Sequence, residues 1–261
     1  IGMVSPTIGE LEDLRWADVD LAADSGNSNK KYVKGIKARL GRHLLGKSDD
    51  VEVLKRALEA AERIDGFLMI HVGNTPSPLT KLMNMLRAGD VVTHCFHGFD
   101  DGILETSDEV VDGMKEAQSR GVVIDLGHGA GGFSIKSAEK ALSLGLFPDT
   151  ISTDIHNVSI EGPVYDMATT LTKMLHLGLS LEEVISRSTQ TPSRVLGVDK
   201  NLGTLKVGSE GDATVIRMQE GKFQLVDRIS KMTMMGTTKW EPGRTFEVVK
   251  KIDHVHTIKG G

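Results

Sequence analysis

The sequence predicts an α/β protein whose parallel strands fit a (β/α)8 barrel better than an open doubly wound sheet. Three observations carry this. Between about residues 33 and 178, short runs rich in Val and Ile alternate with amphipathic stretches of helical spacing, the pattern of successive βαβ units. Polar residues recur near the C-terminal end of each run, the edge on which parallel α/β proteins build their sites. From Gly203 onward the texture changes to alternating residues broken by glycines, GTLKVGSEGDATVIRMQEGKFQLVDR, which reads as a separate small hairpin sheet.

The strand candidates are residues 33–39 (VKGIKAR), 67–73 (FLMIHVG), 90–96 (DVVTHCF), 121–127 (GVVIDLG) and 150–156 (TISTDIH). Each is short and mostly apolar, as expected of strands covered on both faces. Helices fill the intervals. Ser48-Asp49-Asp50 precedes VEVLKRALEAAERI, in which Val53, Leu54, Leu58, Ala61 and Ile64 keep helical spacing. Ser77 is placed to cap a helix carrying Leu79, Leu82, Met83 and Leu86 that stops at Gly89. Ser107 leads DEVVDGMKEAQSR to a stop at Gly121, and Ser134 or Ser137 leads a helix ending at Gly145. Polar starts and glycine stops match the unequal needs of the two helix ends. Residues 165–177 and 181–196 predict two more helices. Met232, Met234 and Met235, in the late β region, are expected to pack a core.

Composition narrows the function classes. Of 261 residues, 39% are apolar and 26% charged, enough apolar surface to build a core. The formal net charge of −5 gives no electrostatic footprint for nucleic acid or anionic lipid. Cys95 is the only cysteine, which excludes a disulfide-stapled scaffold and fits a reducing compartment. No apolar run reaches the roughly 18 residues of a membrane span, and no signal-peptide pattern is visible. The expectation is a cytoplasmic enzyme with a small-molecule substrate, no nucleic-acid or membrane partner, and homo-oligomerisation left open.

Lys37 lies in the first run, His71 in the second, His94 and His97 in or just after the third, Asp125 and His128 at the end of the fourth, and Asp154 and His156 at the end of the fifth. A doubly wound sheet concentrates its site at one switch point, whereas a barrel gathers all strand ends around one mouth. Polar groups on five runs favour the barrel. Imidazole and carboxylate are ligands of the zinc type. Singly, each residue has a plainer role: a buried hydrogen-bonded histidine, a turn aspartate, a salt-bridged lysine. The run Gly127-His128-Gly129-Ala130-Gly131-Gly132 lacks the GxxxxGK[ST] pattern of a phosphate loop, and no G-x-S-x-G elbow exists. Cys95 neighbours His94 on a strand, so the two side chains point to opposite faces. A buried structural thiol suits Cys95 better than a nucleophile.

The words VKGIKARL, FLMIHVGNTP, GDVVTHCFHG, VVIDLGHGAGGFS and ISTDIH, followed by GTLKVGSEGDATVI, resemble the amidohydrolase superfamily. Within it they are most similar to the amidohydrolase/deacetylase, or dihydroorotase-like, metallohydrolases. The resemblance runs over nearly the whole chain. It implies a (β/α)8 barrel with a small β-sandwich, and two divalent metal ions, zinc being the usual one. A barrel lysine, matched by Lys37, would carry a CO2-derived carbamate that bridges the metals. His71 and His94 match the ligands of the second metal. Asp154 matches the aspartate that binds the first metal and shuttles a proton. His128 and, less specifically, His97 fall where substrate is contacted. Carboxylation needs a neutral amine, so Lys37 would need a depressed pKa.

The family's His-x-His pair, on the first barrel strand, is absent before Lys37; His254 and His256 form the only such pair, in the tail. The five runs then correspond to strands four to eight. Residues 1–199 would be a partial barrel and 200–261 the C-terminal part of the sandwich. With a chain that opens on Ile1, the expectation is the C-terminal two-thirds of a longer enzyme. Open strand edges would leave the isolated segment weak in metal binding and in activity. The leading function is metal-dependent hydrolysis of an amide or ester, an acetyl group on a small carboxylate for example. The alternatives are a dihydroorotase-type cyclic amidase and a non-catalytic barrel homologue.

Overall fold

Four parallel strands lie side by side in the order in which the chain makes them, β1 (Gly35–Arg39), β2 (Phe67–His71), β3 (Val91–Thr93) and β4 (Val123–Ile124). Sequential order is the topology of a barrel sector; a doubly wound sheet reverses direction at its switch point. Among the pairings are Lys37 opposite Met69, His71 opposite Thr93, and Val92 opposite Ile124. The computed structural model describes residues 1–2, 10–99, 101–103, 108–229 and 243–261. The chain divides into two units, Ile1–Cys95 with Phe99–Ile124, and Phe96–Gly98 with Asp125–Gly261.

The first unit contains the four strands. It also holds a 3-10 turn at Leu14–Trp16 and helices α1 (Val19–Ser28), α2 (Arg42–Leu45), α3 (Asp50–Arg63), α4 (Leu79–Asn84) and α5 (Glu109–Ser119). Strand alternation sorts the two faces. Ile36, Ala38, Leu68 and Ile70 are buried, while Lys37, Arg39, Met69 and His71 on the opposite face are half-buried. Helix α3 packs on β1 and β2 with Val53, Leu54, Ala57, Ala60 and Ala61 fully buried. Its two larger side chains alone are worth about 1.5–3 kcal/mol each, more than helix propensity supplies over such a length. Asp49 caps it by accepting the Val51 N–H at 2.9 Å.

One expectation needs correction here. Ser77 does not cap α4, whose N-cap is Pro78. Its hydroxyl and N–H instead donate to the Asp50 carboxylate at 2.8 and 2.7 Å, tying the start of α3 to the β2–α4 loop. Ser107 and the three methionines lie outside the described residues. Helix α1 was not foreseen, because it buries only Ala23 and Gly26 and offers no apolar stripe. Gly26 lets α1 approach closely: a Cβ there would stand 2.8 Å from the Ile64 side chain.

The second unit holds α6 (Ile135–Ser143), α7 (Met167–His176), α8 (Leu181–Ser188) and α9 (Gln190–Val195). Strands β5 (Ala213–Val226) and β6 (Thr245–Ile258) form the expected separate antiparallel pair, and α7 packs against β6. Ser134, not Ser137, caps α6; it accepts the Ser137 N–H at 3.4 Å. Residues 181–196 form two helices rather than one, broken at Thr189, whose backbone leaves the helical region. Residues 150–156 make a shorter pairing than a strand. Asp125 and Thr150 form a parallel bridge, and the N–H groups of Leu126 and His128 donate to Thr150 and Ser152 at 3.0 and 3.1 Å. The ladder ends where Asp154 turns into the left-handed region at φ +43°. None of the described helices is long and apolar enough to cross a membrane.

Candidate metal centre

In the first unit, Lys37 and His71 share the half-buried face of the sheet, on neighbouring strands. The Lys37 Nζ donates to Met69 Sδ at 3.3 Å. His94 follows directly after β3, buried, and in the left-handed region at φ +67°. This departure from strand geometry costs on the order of 1–3 kcal/mol and persists only where the surroundings impose it. The rings of His71 and His94 meet edge to face with centroids 4.1 Å apart.

Electrostatics keep His71 neutral. Its pKa lies well below the usual histidine range, through burial first and then through His94, Lys37, Arg39 and His43. A neutral imidazole keeps the nitrogen lone pair a metal needs. Among the described residues no three or more His, Cys, Asp and Glu side chains gather closely enough to hold a metal. A metal held by His71 and His94 would need a further ligand of another type, which Lys37 would supply only as a carbamate. The donor types and the protonation state of His71 fit a metal on these terms.

In the second unit, Asp154 is solvent-exposed. Gly129 lies against it: a Cβ there would sit 2.7 Å from Asp154 Oδ2, and φ at Gly129 is +54°. The positive φ favours glycine there, and a side chain would push the Asp154 carboxylate aside. The Gly129 N–H donates to Thr153 O at 2.9 Å. His128 is fully buried. Its Nδ1 is 2.9 Å from Gly129 O, and its Nε2 is 2.7 Å from the Nζ of Lys173. The ring stacks on Phe133 with centroids 4.8 Å apart. His97 is also buried, and its carbonyl accepts the Ser137 hydroxyl at 2.9 Å.

Two residues carry roles that spacing did not reveal. Asp125, at a strand end, is a staple: its carboxylate accepts the hydroxyls of Thr150 at 2.6 Å and Ser152 at 2.8 Å. Lys173, on α7, is buried and donates to Pro163 O and Val226 O at 2.8 and 2.7 Å besides meeting His128. Burial brings its pKa down to about 7, against the pull of Asp227. A lysine flanked by Thr172 and Met174 gives no sequence signal for this, because charged residues in helices are ordinarily solvated.

Comparison with known proteins agrees with the strand order and the sheet. A model of the amidohydrolase family matches residues 30–240. The chain is 35% identical over 222 residues to a deacetylase of Enterococcus faecalis, covering 84% of this chain and 59% of that protein. It is 32% identical over 228 residues to a deacetylase of Agrobacterium fabrum, covering 87% and 56%. The chain thus spans less than three-fifths of the length of these curated relatives. Among solved structures, a dihydroorotase superposes with a TM-score of 0.86 at 27% identity, covering 98% of this chain and 63% of that one. An adenine deaminase superposes with a TM-score of 0.83 at 33% identity, covering 97% and 66%. A sequential parallel sheet, one polar strand face and a family match over most of the length lead to one conclusion: the chain belongs to the amidohydrolase family, with its (β/α)8 barrel architecture and a small additional β domain.

Proposed function

We propose that this chain supplies most of the active site of a metal-dependent amidohydrolase that removes an acyl group, acetyl in the simplest case, from an amide or ester. The observation that carries this is the neutral His71 in edge contact with His94, beside Lys37 on the adjoining strand. In this reading His71 and His94 hold one divalent ion. Asp154 would serve a second, and Lys37 would contribute as a carbamate. Zinc suits the nitrogen and oxygen donors. When bound, the ions supply Lewis acidity toward the scissile carbonyl and make hydroxide available near neutral pH.

The chain's own residues do the rest. Burial, aided by the neighbouring His94, Lys37 and Arg39, keeps the His71 imidazole unprotonated. The carboxylate of Asp154 takes the proton of the attacking water and returns it to the leaving nitrogen or oxygen. His128 and His97 are proposed to border the substrate. The name of the relatives favours acyl removal, while the dihydroorotase superposition favours a second reading, opening of a cyclic amide. Assaying N-acyl and O-acyl small carboxylates beside cyclic ureides, with the enzyme that carries this chain, separates the two. Turnover of the acyl compounds alone supports deacylation; turnover of the ureides alone replaces it with the second reading. The lone cysteine fits a cytoplasmic setting.

A further inference from the structure

A buried lysine that the chemistry above does not use meets a histidine beside the proposed base. Around the Nζ of Lys173 stand His128 Nε2 at 2.7 Å, Pro163 O at 2.8 Å and Val226 O at 2.7 Å. The two carbonyls can only accept. On the far side of the ring, Nδ1 lies 2.9 Å from Gly129 O, another acceptor. Nδ1 therefore carries a hydrogen toward Gly129 O. An ammonium, with three N–H donors and no lone pair, satisfies all three neighbours at once. A neutral amine facing an imidazolium would satisfy them as well, with Nε2–H donating to Nζ, and the state of Nε2 tells the two arrangements apart. From the ring, the connection runs on through the backbone. Gly129 donates to Thr153 O at 2.9 Å, and its Cα faces the Asp154 carboxylate so closely that a Cβ would be 2.7 Å from Oδ2.

We propose that Lys173 is a positioning residue for the reaction: its ammonium pins His128 as the Nδ1–H tautomer, and the pinned ring holds the Gly129 backbone against Thr153 and Asp154. The proposal rests on Asp154 acting as the base. The Lys173 Nζ meets His128, Pro163 O, Val226 O and the Phe133 ring; it acts through His128. The ring of Phe133, stacked on His128 and 5.8 Å from the Lys173 Nζ, closes the other side of this assembly.

Two measurements test it. Ring 15N spectra of the unaltered protein at pH 6.5 should show His128 with a pyrrole-type Nδ1 and a pyridine-type Nε2. A pyrrole-type Nε2 overturns the proposal. This readout needs no activity, so it stands or falls apart from the role of Asp154, which full activity of Asp154→Asn would remove. In the enzyme carrying this chain, Lys173→Met should lower kcat about ten- to a hundredfold, on the scale of losing a hydrogen-bonded partner that orients a functional side chain. In a His128→Asn background, which keeps an N–H toward Gly129 O and has no Nε2, Lys173→Met should cause no further loss in kcat. Equal losses in both backgrounds mean that Lys173 does not act through His128, and overturn the proposal.

Discussion

His94 and Asp154 share a backbone property: each adopts the left-handed region, at φ +67° and +43°. Histidine and aspartate tolerate it better than β-branched residues do, and both belong to the set proposed to bind metal. Replacing the carboxylate should therefore cost chemistry rather than folding. Asp154→Asn is expected to lower kcat by about 100- to 10,000-fold, the range for a lost general base, with an unchanged thermal midpoint. Lys37→Ala should abolish activity in the same assay. Gly129→Ala should lose both, because a methyl group meets the Asp154 carboxylate and the backbone is strained. A melting curve and a kcat measurement on one preparation show it, and a variant as stable and active as the parent contradicts the geometry.

Secondary structure shows where periodicity carries information and where it does not. The four strand candidates that became β1 to β4 were legible because their outward residues are continuous apolar rows under helices. The run at 150–156 reads as a strand too, yet its ladder of backbone bonds ends at Thr153, since Asp154 turns the chain out. Composition does not report that turn. Helix α1 stayed hidden because its contact with α3 is made by Gly26 and Ala23 rather than by a large apolar stripe. Asp125 was legible as a polar strand end but not as a staple. Its burial with two hydroxyl donors predicts that Asp125→Ala destabilises by about 3 kcal/mol, at roughly 1.5–3 kcal/mol for each hydrogen bond to a charged group less partial compensation. Chemical denaturation reads this directly. A shift under about 0.5 kcal/mol would mean that the bridge to Thr150 holds without it.

For the chain as a whole, the ligand candidates were readable from their matching strand positions, and the support of His128 was not. Spacing places residues on elements; it does not say that a helix lysine is buried under a glycine turn. That lysine also sets a pH dependence. The pKa of Lys173 falls from 10.5 to about 7 on folding, so between those values the unfolded chain holds a proton at this site that the folded chain lacks. Unfolding then takes up a proton, and stability rises with pH across that window. Urea midpoints at pH 6.5 and pH 9 should show the parent gaining on Lys173→Met; parallel behaviour of the two refutes the shift.

The account stands centrally on a metal site built from His71, His94 and Lys37. Its most direct test is elemental analysis of the purified enzyme carrying this chain, beside a His71→Ala/His94→Ala variant shown to be folded by circular dichroism. About two divalent ions per subunit are expected in the parent, with at least one lost in the variant. A parent without bound metal, or a variant that keeps its full complement, would contradict the account.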